Sequence, residues 1–568
     1  MRACFVFPET GLVAQTTNGV ISGTVTDPTS AAIAGATVQV KNTGTGVVRT
    51  VTTNDQGRYR VPDLLVGQYE VQASQSGFQT VVERAIPLNV GSERVVDLQL
   101  PVGQAQQTVS VEGQVAQVDT TSAAMASLVE PKQISDLPLN GRNYTQLIAL
   151  APGVQQTPPQ FIANGFYGRG ADYSVSGGRP EGQAFLLDNS NVQDFWNHGP
   201  GSAVLGTTLG VEAIAEFSTQ TNTYSAQFGG AGAAINAVTK SGTNSFHGSL
   251  FEYFRNSDLD ARAFYDPAQL PAFRRNQFGG SVGGPIKKDK AFFFFNYEGL
   301  RNRQGLTEIA YVPDANARQG ILPGLPPITI SPQIQTLLGY YPMPTTLIGG
   351  GVGQYQSVAT QVGNEDYLLG RVDYTLSAKD SLFIRFVNDR AVFTDPFSGS
   401  AITLWPETHH TGNDYATIEE RPIVSSNVVN LLRGTFVRTR EGSDLNNNET
   451  GLSFYPGRKN GTLGFTNLIL SPLGSSIFLP FLFVQNKIGG GDDLYWNHGA
   501  HSLRFGADVQ RVQSNVNAPG WLGGEYEFSS LAGFLSASPF LFFGPLPSES
   551  DGYRDFREID ANGYVQDD

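Results

Sequence analysis

The sequence has few of the residues that crosslink a chain or anchor it in a membrane. Its 568 residues include one cysteine, Cys4, so neither an internal disulfide nor a cysteine-based metal cluster can form, and the redox compartment stays open. Charged residues make up 15%, against about 25% in an average soluble protein. No apolar run approaches the roughly 18 residues that a membrane-spanning helix needs, which excludes an α-helical membrane protein.

Basic residues are scarcer than acidic ones. The 37 Lys and Arg residues against 51 Asp and Glu residues give a formal net charge of −14, which repels a phosphate backbone and excludes nucleic acid as a partner. Helix formers do not dominate, since Gly contributes 65 residues and Pro 32. With 40% hydrophobic and 11% aromatic residues, this composition predicts a mainly β protein of about three to five domains.

Signals for enzyme chemistry are also lacking. Among six histidines only His498 and His501 have ligand-like spacing, and on one strand an offset of three residues would place them on opposite faces. No Gly-Lys-Ser/Thr phosphate loop occurs. Adjacent carboxylates are typical of solvated loops: Glu365-Asp366 and Asp492-Asp493. We therefore expect no enzyme activity, no catalytic residue, no metal and no cofactor.

The N-terminal residues 1–17 carry a weak export pattern. Arg2 is followed by a short apolar run and by small residues before Gln15, but Pro8 and Glu9 interrupt the run. We interpret the segment as a degenerate or truncated signal peptide, without a predicted cleavage site.

Residues 18–101 alternate apolar and polar side chains, and turn signals such as Asp27-Pro28 separate the runs. About seven short strands in about 80 residues are typical of a small β-sandwich. The string that begins GVISGTVTDPTSAAIAGATVQV at Gly19 resembles the carboxypeptidase regulatory-like domain, which has an immunoglobulin-like fold. This resemblance implies a domain that precedes a surface receptor, in a fold grouped with carbohydrate-binding modules. The sequence of this domain has no set of tryptophans that could form a sugar-binding surface, so a spacer role is favoured over sugar binding.

The linker at residues 102–113 contains a short extended segment: Thr108, Val109, Ser110 and Val111. One interpretation is a plain linker or the last strand of the sandwich. The other rests on a resemblance to the TonB box, which implies that the segment adds a strand to a TonB-type periplasmic energy-coupling protein.

Residues 114–243 contain strings that occur in a fixed order. They are ISDLPLNGRN from Ile134, SGGRP from Ser176, FLLDN from Phe185, VEAIAEF from Val211 and GGAGAAINAVTKSGTNSFHGS from Gly229. In this order they resemble the plug domain of TonB-dependent outer-membrane receptors, of the Oar-like branch. The resemblance implies these plug-motif residues: Gly177, Gly178, Arg179, Asp188, Asn236, Thr239, Lys240 and Gly242. Glycines suit an inserted domain, because its backbone lies close to an enclosing wall where a Cβ would clash.

Residues 244–568 alternate in a way that fits strands with one apolar and one polar face. Leu368, Val372 and Leu376 alternate with Arg371 and Asp373, for example. A soluble sandwich would show the same alternation, but a tight reversal at 374–382 contrasts with polar stretches at 303–364 and 390–425 that we interpret as long loops. Short turns on one side and long loops on the other are typical of an outer-membrane barrel.

The strand count predicts an incomplete antiparallel transmembrane β-barrel. A lumen that holds a plug of about 130 residues needs on the order of 22 strands, whereas residues 244–568 supply about eight to ten. We therefore expect the N-terminal part of a longer receptor.

The resemblance implies a TonB-dependent transporter in the outer membrane, with its plug and N-terminal domain on the periplasmic side. Its partners would be the TonB-type coupling protein, the outer-membrane lipid and a ligand such as a siderophore, an oligosaccharide or a peptide, among which the sequence does not choose. Two alternatives stay open: a surface adhesive or structural outer-membrane protein with a carbohydrate-binding-like N-terminal domain, and a non-functional fragment.

Overall fold

The computed structural model describes most of the chain. The described residues are 19–103, 108–112, 125–137, 139–157, 170, 172–202, 204, 206, 209–222, 226–228, 233–445, 451–455, 457–499, 501–546 and 551–567. The predicted signal peptide at 1–17 lies outside them. No helix in these ranges is both long enough and apolar enough to cross a membrane.

The N-terminal unit is a two-sheet sandwich. Its strands are β1 Gly19–Thr26, β2 Thr37–Asn42, β3 Val48–Thr52, β4 Arg58–Leu64, β5 Gly67–Ser74, β6 Thr80–Leu88, β7 Glu93–Val95, β8 Leu98–Gln99 and β9 Thr108–Glu112. One sheet has the order β4-β1-β7, with β8 also on β1, and the other the order β3-β2-β5-β6-β9. Alternate residues such as Val38, Val40 and Val71 are fully buried between the sheets, which is why the period of two predicts this layer.

The second unit is a small mixed domain. Its elements are β10 Met125–Val129, α1 Pro131–Asp136, β11 Val154–Thr157, β12 Asp172–Val175, β13 Ala184–Leu187, β14 Ser190–Asn191, β15 Ile214–Asn222 and β16 Ala234–Thr239. Five strands form a sheet of order β10-β15-β16-β13-β14, and β11 pairs with β12. Tyr144–Leu150 is a 3-10 helix that begins after Asn143, whose side chain accepts a hydrogen bond from the Thr145 amide.

The remainder is dominated by long strands. The elements are β17 His247–Asn256, β18 Phe273–Lys287, β19 Ala291–Pro313, α2 Pro332–Leu338, β20 Thr346–Gly349, β21 Val352–Ser377, β22 Asp380–Asp395, β23 Glu407–Ser425, β24 Val428–Leu445, β25 Thr462–Phe465, β26 Leu473–Gly474, β27 Phe481–His498, β28 His501–Asn517, β29 Glu525–Phe528, α3 Leu531–Leu535, β30 Leu541–Phe543 and β31 Tyr553–Asp567. An antiparallel sheet of 11 strands has the order β17-β18-β19-β21-β22-β23-β24-β27-β28-β31, with β20 on β21. The sheet does not close within the described residues.

The two faces of this sheet differ as the alternation predicts. The outer face exposes apolar side chains: Val282, Val372, Ile384, Phe386, Ile418, Leu432, Ile488 and Val509. The inner face buries polar side chains against the plug: Asn296, Glu298, Arg371, Arg385 and Asp389. Apolar groups on the outside and polar groups inside are the arrangement of a membrane barrel wall, so the predicted mainly β fold with a sandwich, a plug and an incomplete barrel is confirmed.

Turns and loops segregate to opposite ends of the wall. The connections 288–290, 378–379 and 426–427 are short, whereas 257–272, 314–351, 396–406 and 518–552 are long. The prediction of long loops at 303–364 and 390–425 was partly wrong. Strands β19, β21, β22 and β23 extend well into these ranges, so the loops are shorter than predicted. Gly, Gln and Thr residues interrupt the apolar alternation in these strand ends, as in residues 352–364, VGQYQSVATQVGN. Several long loops fold together around one apolar cluster: Leu338, Trp405, Leu463, Phe528 and Phe534.

Two interpretations of polar residues were wrong. Glu365 and Asp493 do not lie in solvated loops but are buried within β21 and β27. His498 and His501 do not share a strand: they end β27 and begin β28, where they are direct register partners. His501 Nδ1 lies 2.7 Å from an Asp567 carboxylate oxygen. A strand reversal without a proline or an Asn-Gly signal is hard to see in the sequence, which explains the second error.

Candidate functional site

A buried carboxylate joins the plug to the barrel wall. Asp188 follows β13 with a positive φ of 43°, and its carboxylate lies 2.6 Å from Arg385 Nη1 and 3.4 Å from Arg371 Nη1. The Thr239 amide and hydroxyl donate to the same carboxylate at 2.9 and 2.8 Å. Burial alone would raise the pKa of Asp188, but the charges of Arg385 and Arg371 hold it below its ordinary value.

The two arginines extend this contact over three wall strands. Arg371 on β21 also pairs with Asp373 at 2.8 Å. Arg385 on β22 donates to the Leu187 carbonyl at 2.7 Å and to the Thr417 hydroxyl at 2.6 Å on β23. Both arginine side chains are at most 2% exposed. Buried charges of this kind are tolerated only when they are fully paired, so the plug turn and the wall complete each other.

A second ionic cluster lies beside the first, where Lys240 directly follows Thr239. Glu212 accepts from Arg142 at 2.8 Å and from the wall residue Ser249 at 2.9 Å, and Lys240 Nζ lies 3.7 Å away. Arg142 also lies 3.4 Å from the buried wall carboxylate of Glu298. Burial alone would raise the pKa of Glu212, but the neighbouring cations Lys240 and Arg142 hold it below its ordinary value.

The backbones of the plug and the wall approach each other closely where the plug leads into the wall. A Cβ added at Gly242 would lie 2.3 Å from the Phe293 carbonyl oxygen and 2.7 Å from the Gly284 carbonyl oxygen. No larger side chain fits between these two wall strands without a shift of backbone.

The predicted plug-motif residues fall into three places. Asp188, Thr239 and Asn236 lie together, and Asn236 accepts a long hydrogen bond of 3.4 Å from the Asn189 amide. Lys240 joins the Glu212 cluster, and Gly242 lies at the wall. The segment Gly177–Arg179 lies apart from both clusters, in a turn after β12, where the Gly178 amide donates to the Val175 carbonyl at 2.8 Å and Arg179 is exposed.

The predicted coupling segment is strand β9. It pairs in parallel with β6 over five consecutive register pairs, from Thr80 with Thr108 to Arg84 with Glu112. It therefore forms the last strand of the second sandwich sheet, which was one of the two interpretations of Thr108–Val111. No strand of the described residues pairs with the opposite edge of β9. We refer to that edge as the outer edge.

The sandwich contacts both the plug and the short-turn end of the wall. The Val90 amide donates to the Glu216 carboxylate on β15. Burial, assisted by the nearby charge of Glu130, raises the pKa of Glu216 to about 7. Towards the wall, Arg421 Nε lies 4.0 Å from Asp63 Oδ2. A cavity of about 310 Å³ lies in this junction, lined by residues of the sandwich and of the short turns.

Several of these residues carry little signal in the sequence. Arg371 and Arg385 occupy polar positions of alternating strands, which indicates an inward side chain but not its partner. Arg142 and Glu216 both lie within quoted plug strings, but nothing in the sequence indicates the partner of either residue. Within the described residues, no group of three or more His, Cys, Asp or Glu side chains is placed to hold a metal ion.

Comparison with known proteins assigns two parts of the chain. Residues 238–568 match the model of the outer membrane beta barrel domain, and residues 20–101 match the carboxypeptidase regulatory-like domain. The TonB-dependent transporter Oar of Myxococcus xanthus is 28% identical over 265 residues, which are 44% of this chain and 23% of that protein. The chain therefore spans about a quarter of this relative.

Similar solved structures share less sequence. The outer membrane transporter YddB from Escherichia coli is 12% identical, with a TM-score of 0.48, over 78% of this chain and 54% of that chain. The siderophore receptor PirA from Acinetobacter baumannii is 14% identical, with a TM-score of 0.41, over 69% and 48%. The chain covers about half the length of each.

The matched barrel domain covers more than half of the chain and includes all the strands whose apolar side chains face outward. The predicted resemblance and the predicted location in the outer membrane are thereby confirmed. This chain belongs to the outer membrane beta barrel domain family, with a carboxypeptidase regulatory-like domain at its N-terminal side.

Proposed function

We propose that the chain is part of a TonB-dependent outer-membrane transporter that takes up a ligand actively, and that it has no enzyme activity. The observation that carries the proposal is the Asp188 cluster, in which a plug carboxylate is held by two wall arginines. The 28% identity to a transporter of this kind supports it. The ligand would be a compound such as a siderophore, an oligosaccharide or a peptide.

The energetics of the plug explain why such a transporter needs an external energy source. Separating Asp188 from Arg371 and Arg385 would leave buried charges unpaired, at a cost of about 3–5 kcal/mol for one broken pair. The Glu212 cluster and the contact at Gly242 add to this cost. Spontaneous opening is therefore rare, which prevents leakage, and work done on the plug from the periplasmic side is required to move it.

The segment Thr108–Val111 is proposed as the place where this work is applied, because a strand edge can bind a partner strand through main-chain hydrogen bonds. Thr108→Pro, or deletion of residues 107–111, should abolish both binding of the TonB-type protein and uptake in the complete receptor. Proline removes a main-chain donor and restricts the backbone of the strand.

Ser76→Pro is the matched control. Ser76 lies in the exposed turn between β5 and β6, followed by Gly77 at a φ of 85°, where proline is well accommodated. Uptake is measured with cells that carry the complete receptor. If Thr108→Pro and Ser76→Pro transport equally, the coupling assignment fails, and ligand binding without any uptake would favour an adhesive protein.

A further inference from the structure

The sandwich gives the coupling segment a defined conformation before any partner arrives. Strand β9 is extended over Thr108–Glu112 and continues a sheet in which β6 already pairs with β5. Fixing the backbone of one residue costs about 1–2 kcal/mol of conformational entropy. Folding of the sandwich already orders the backbone of β9. The entropy cost of ordering β9 is therefore not subtracted from the free energy with which a partner strand binds.

We propose that the partner strand adds to the outer edge of β9 while β9 stays paired with β6, so that the coupling protein extends the sandwich sheet as a sixth strand. This inference rests on the proposed function, since it takes the TonB-type protein as the partner. It assigns the sandwich a role as the platform that presents the coupling strand, in place of a passive spacer.

Addition at the outer edge is favoured over release of β9 by the hydrogen-bond balance. In a parallel ladder, alternate residues direct their main-chain groups to one neighbour and the remaining residues direct theirs away from it. Half of the polar groups of β9 are therefore committed to β6, and the other half face the outer edge. Release would break the five register pairs and leave β6 with an unpaired edge, whereas addition breaks none.

The contacts of the sandwich allow it to transmit a force from β9 to the plug and the wall. The Val90 amide contacts Glu216 on the plug, and Asp63 lies near Arg421 on the wall. A force on the sixth strand would act on β9 and β6 together, and so on the sandwich–plug junction as well as on the chain that leads from β9 to β10.

A reversible crosslink between β6 and β9 tests the proposal. The central register pair is Val82 with Ser110, and neighbouring strands are about 4.8 Å apart, within the range that a disulfide spans. We would introduce Val82→Cys and Ser110→Cys into the full chain, with Cys4→Ser to remove the native thiol. The partner probe is the purified periplasmic domain of the TonB-type protein encoded in the same genome. Gln72→Cys with Val82→Cys, a register pair between β5 and β6, is the control crosslink.

We expect the oxidised and the reduced forms to bind the probe within about twofold of each other. Loss of binding on oxidation that is restored by reduction would show that β9 must leave β6, and would overturn the inference while leaving the proposed function intact. If the Cys4→Ser parent itself does not bind the probe, the proposed coupling function fails and the inference fails with it.

Discussion

The plug is held at two junctions that differ in how their carboxylates are satisfied. At the wall, Asp188 faces two arginines and two Thr239 donors. At the sandwich, Glu216 accepts one hydrogen bond from the Val90 amide, and the nearby charge of Glu130 opposes its ionisation. The pKa is lowered in the first case and raised to about 7 in the second. The comparison indicates a wall carboxylate that stays ionised at every physiological pH and a sandwich-facing carboxylate that titrates near neutral pH.

The largest expected effect is that of Asp188→Asn. The substitution keeps the shape of the side chain but leaves Arg385 buried without a carboxylate, so we expect the plug to lose about 3–5 kcal/mol of stability against local opening. Native-state hydrogen exchange of the β16 amides measures this free energy.

Asp366→Asn is the matched control for this measurement. Asp366 pairs with Arg301 at 2.7 Å, but both side chains are partly exposed, at 47% and 34%. Such a pair contributes about 0–1 kcal/mol. Equal exchange in the two variants would mean that the Asp188 cluster does not hold the plug.

The sequence predicted the layers of the molecule better than the contacts between them. Alternation of apolar and polar residues is a local property, so it revealed the sandwich strands and most wall strands, and the ordered plug strings placed Asp188 and Thr239 in one domain. Arg371 and Arg385 are 183 and 197 residues away from Asp188 along the chain. Their pairing depends on how the plug sits inside the wall, which no local pattern records.

The same reason explains what was missed at the sandwich junction. Glu216 lies on β15 beside buried residues, and in the sequence it reads as an ordinary polar position of a strand. Its partner is a main-chain amide in a loop of another domain, at Val90, and a main-chain donor has no residue type by which to recognise it. The coupling segment had two interpretations for a related reason, because a strand that continues one sheet and a strand that awaits a partner have the same local sequence.

The next largest effect concerns Glu216 and pH. Its pKa of about 7 in the folded protein exceeds the ordinary value of 4.5, so the folded protein binds this proton more tightly than the unfolded chain does. The stabilisation from this group is fully present below about pH 4.5 and is lost as the pH rises through about 7, with a total of about 3 kcal/mol. Hydrogen exchange of the Val90 amide between pH 5 and 8, corrected for its intrinsic pH dependence, measures how the protection of this amide changes as Glu216 titrates.

Glu216→Gln separates this titration from general effects of pH. A neutral amide can still accept from the Val90 amide but cannot ionise, so the corrected protection should be independent of pH in this variant. Parallel pH profiles for the parent and the variant would show that Glu216 does not control the junction.

The smallest effect is expected for a single methyl group at the entrance to the wall. Gly242→Ala places a Cβ 2.3 Å from the Phe293 carbonyl oxygen, so the segment after β16 or the neighbouring wall strands must shift, at a cost of about 1–3 kcal/mol. Gly182→Ala is the control, because no atom lies within 4 Å of the added Cβ and the residue is not at a positive φ. Urea titration of the detergent-solubilised chain compares the two variants.

Since alanine at position 242 adds bulk without removing a charge, its cost should be independent of salt, whereas the cost of Asp188→Asn reflects lost charge pairing. A Gly242→Ala variant as stable as the Gly182→Ala variant would show that the plug and the wall do not approach each other this closely.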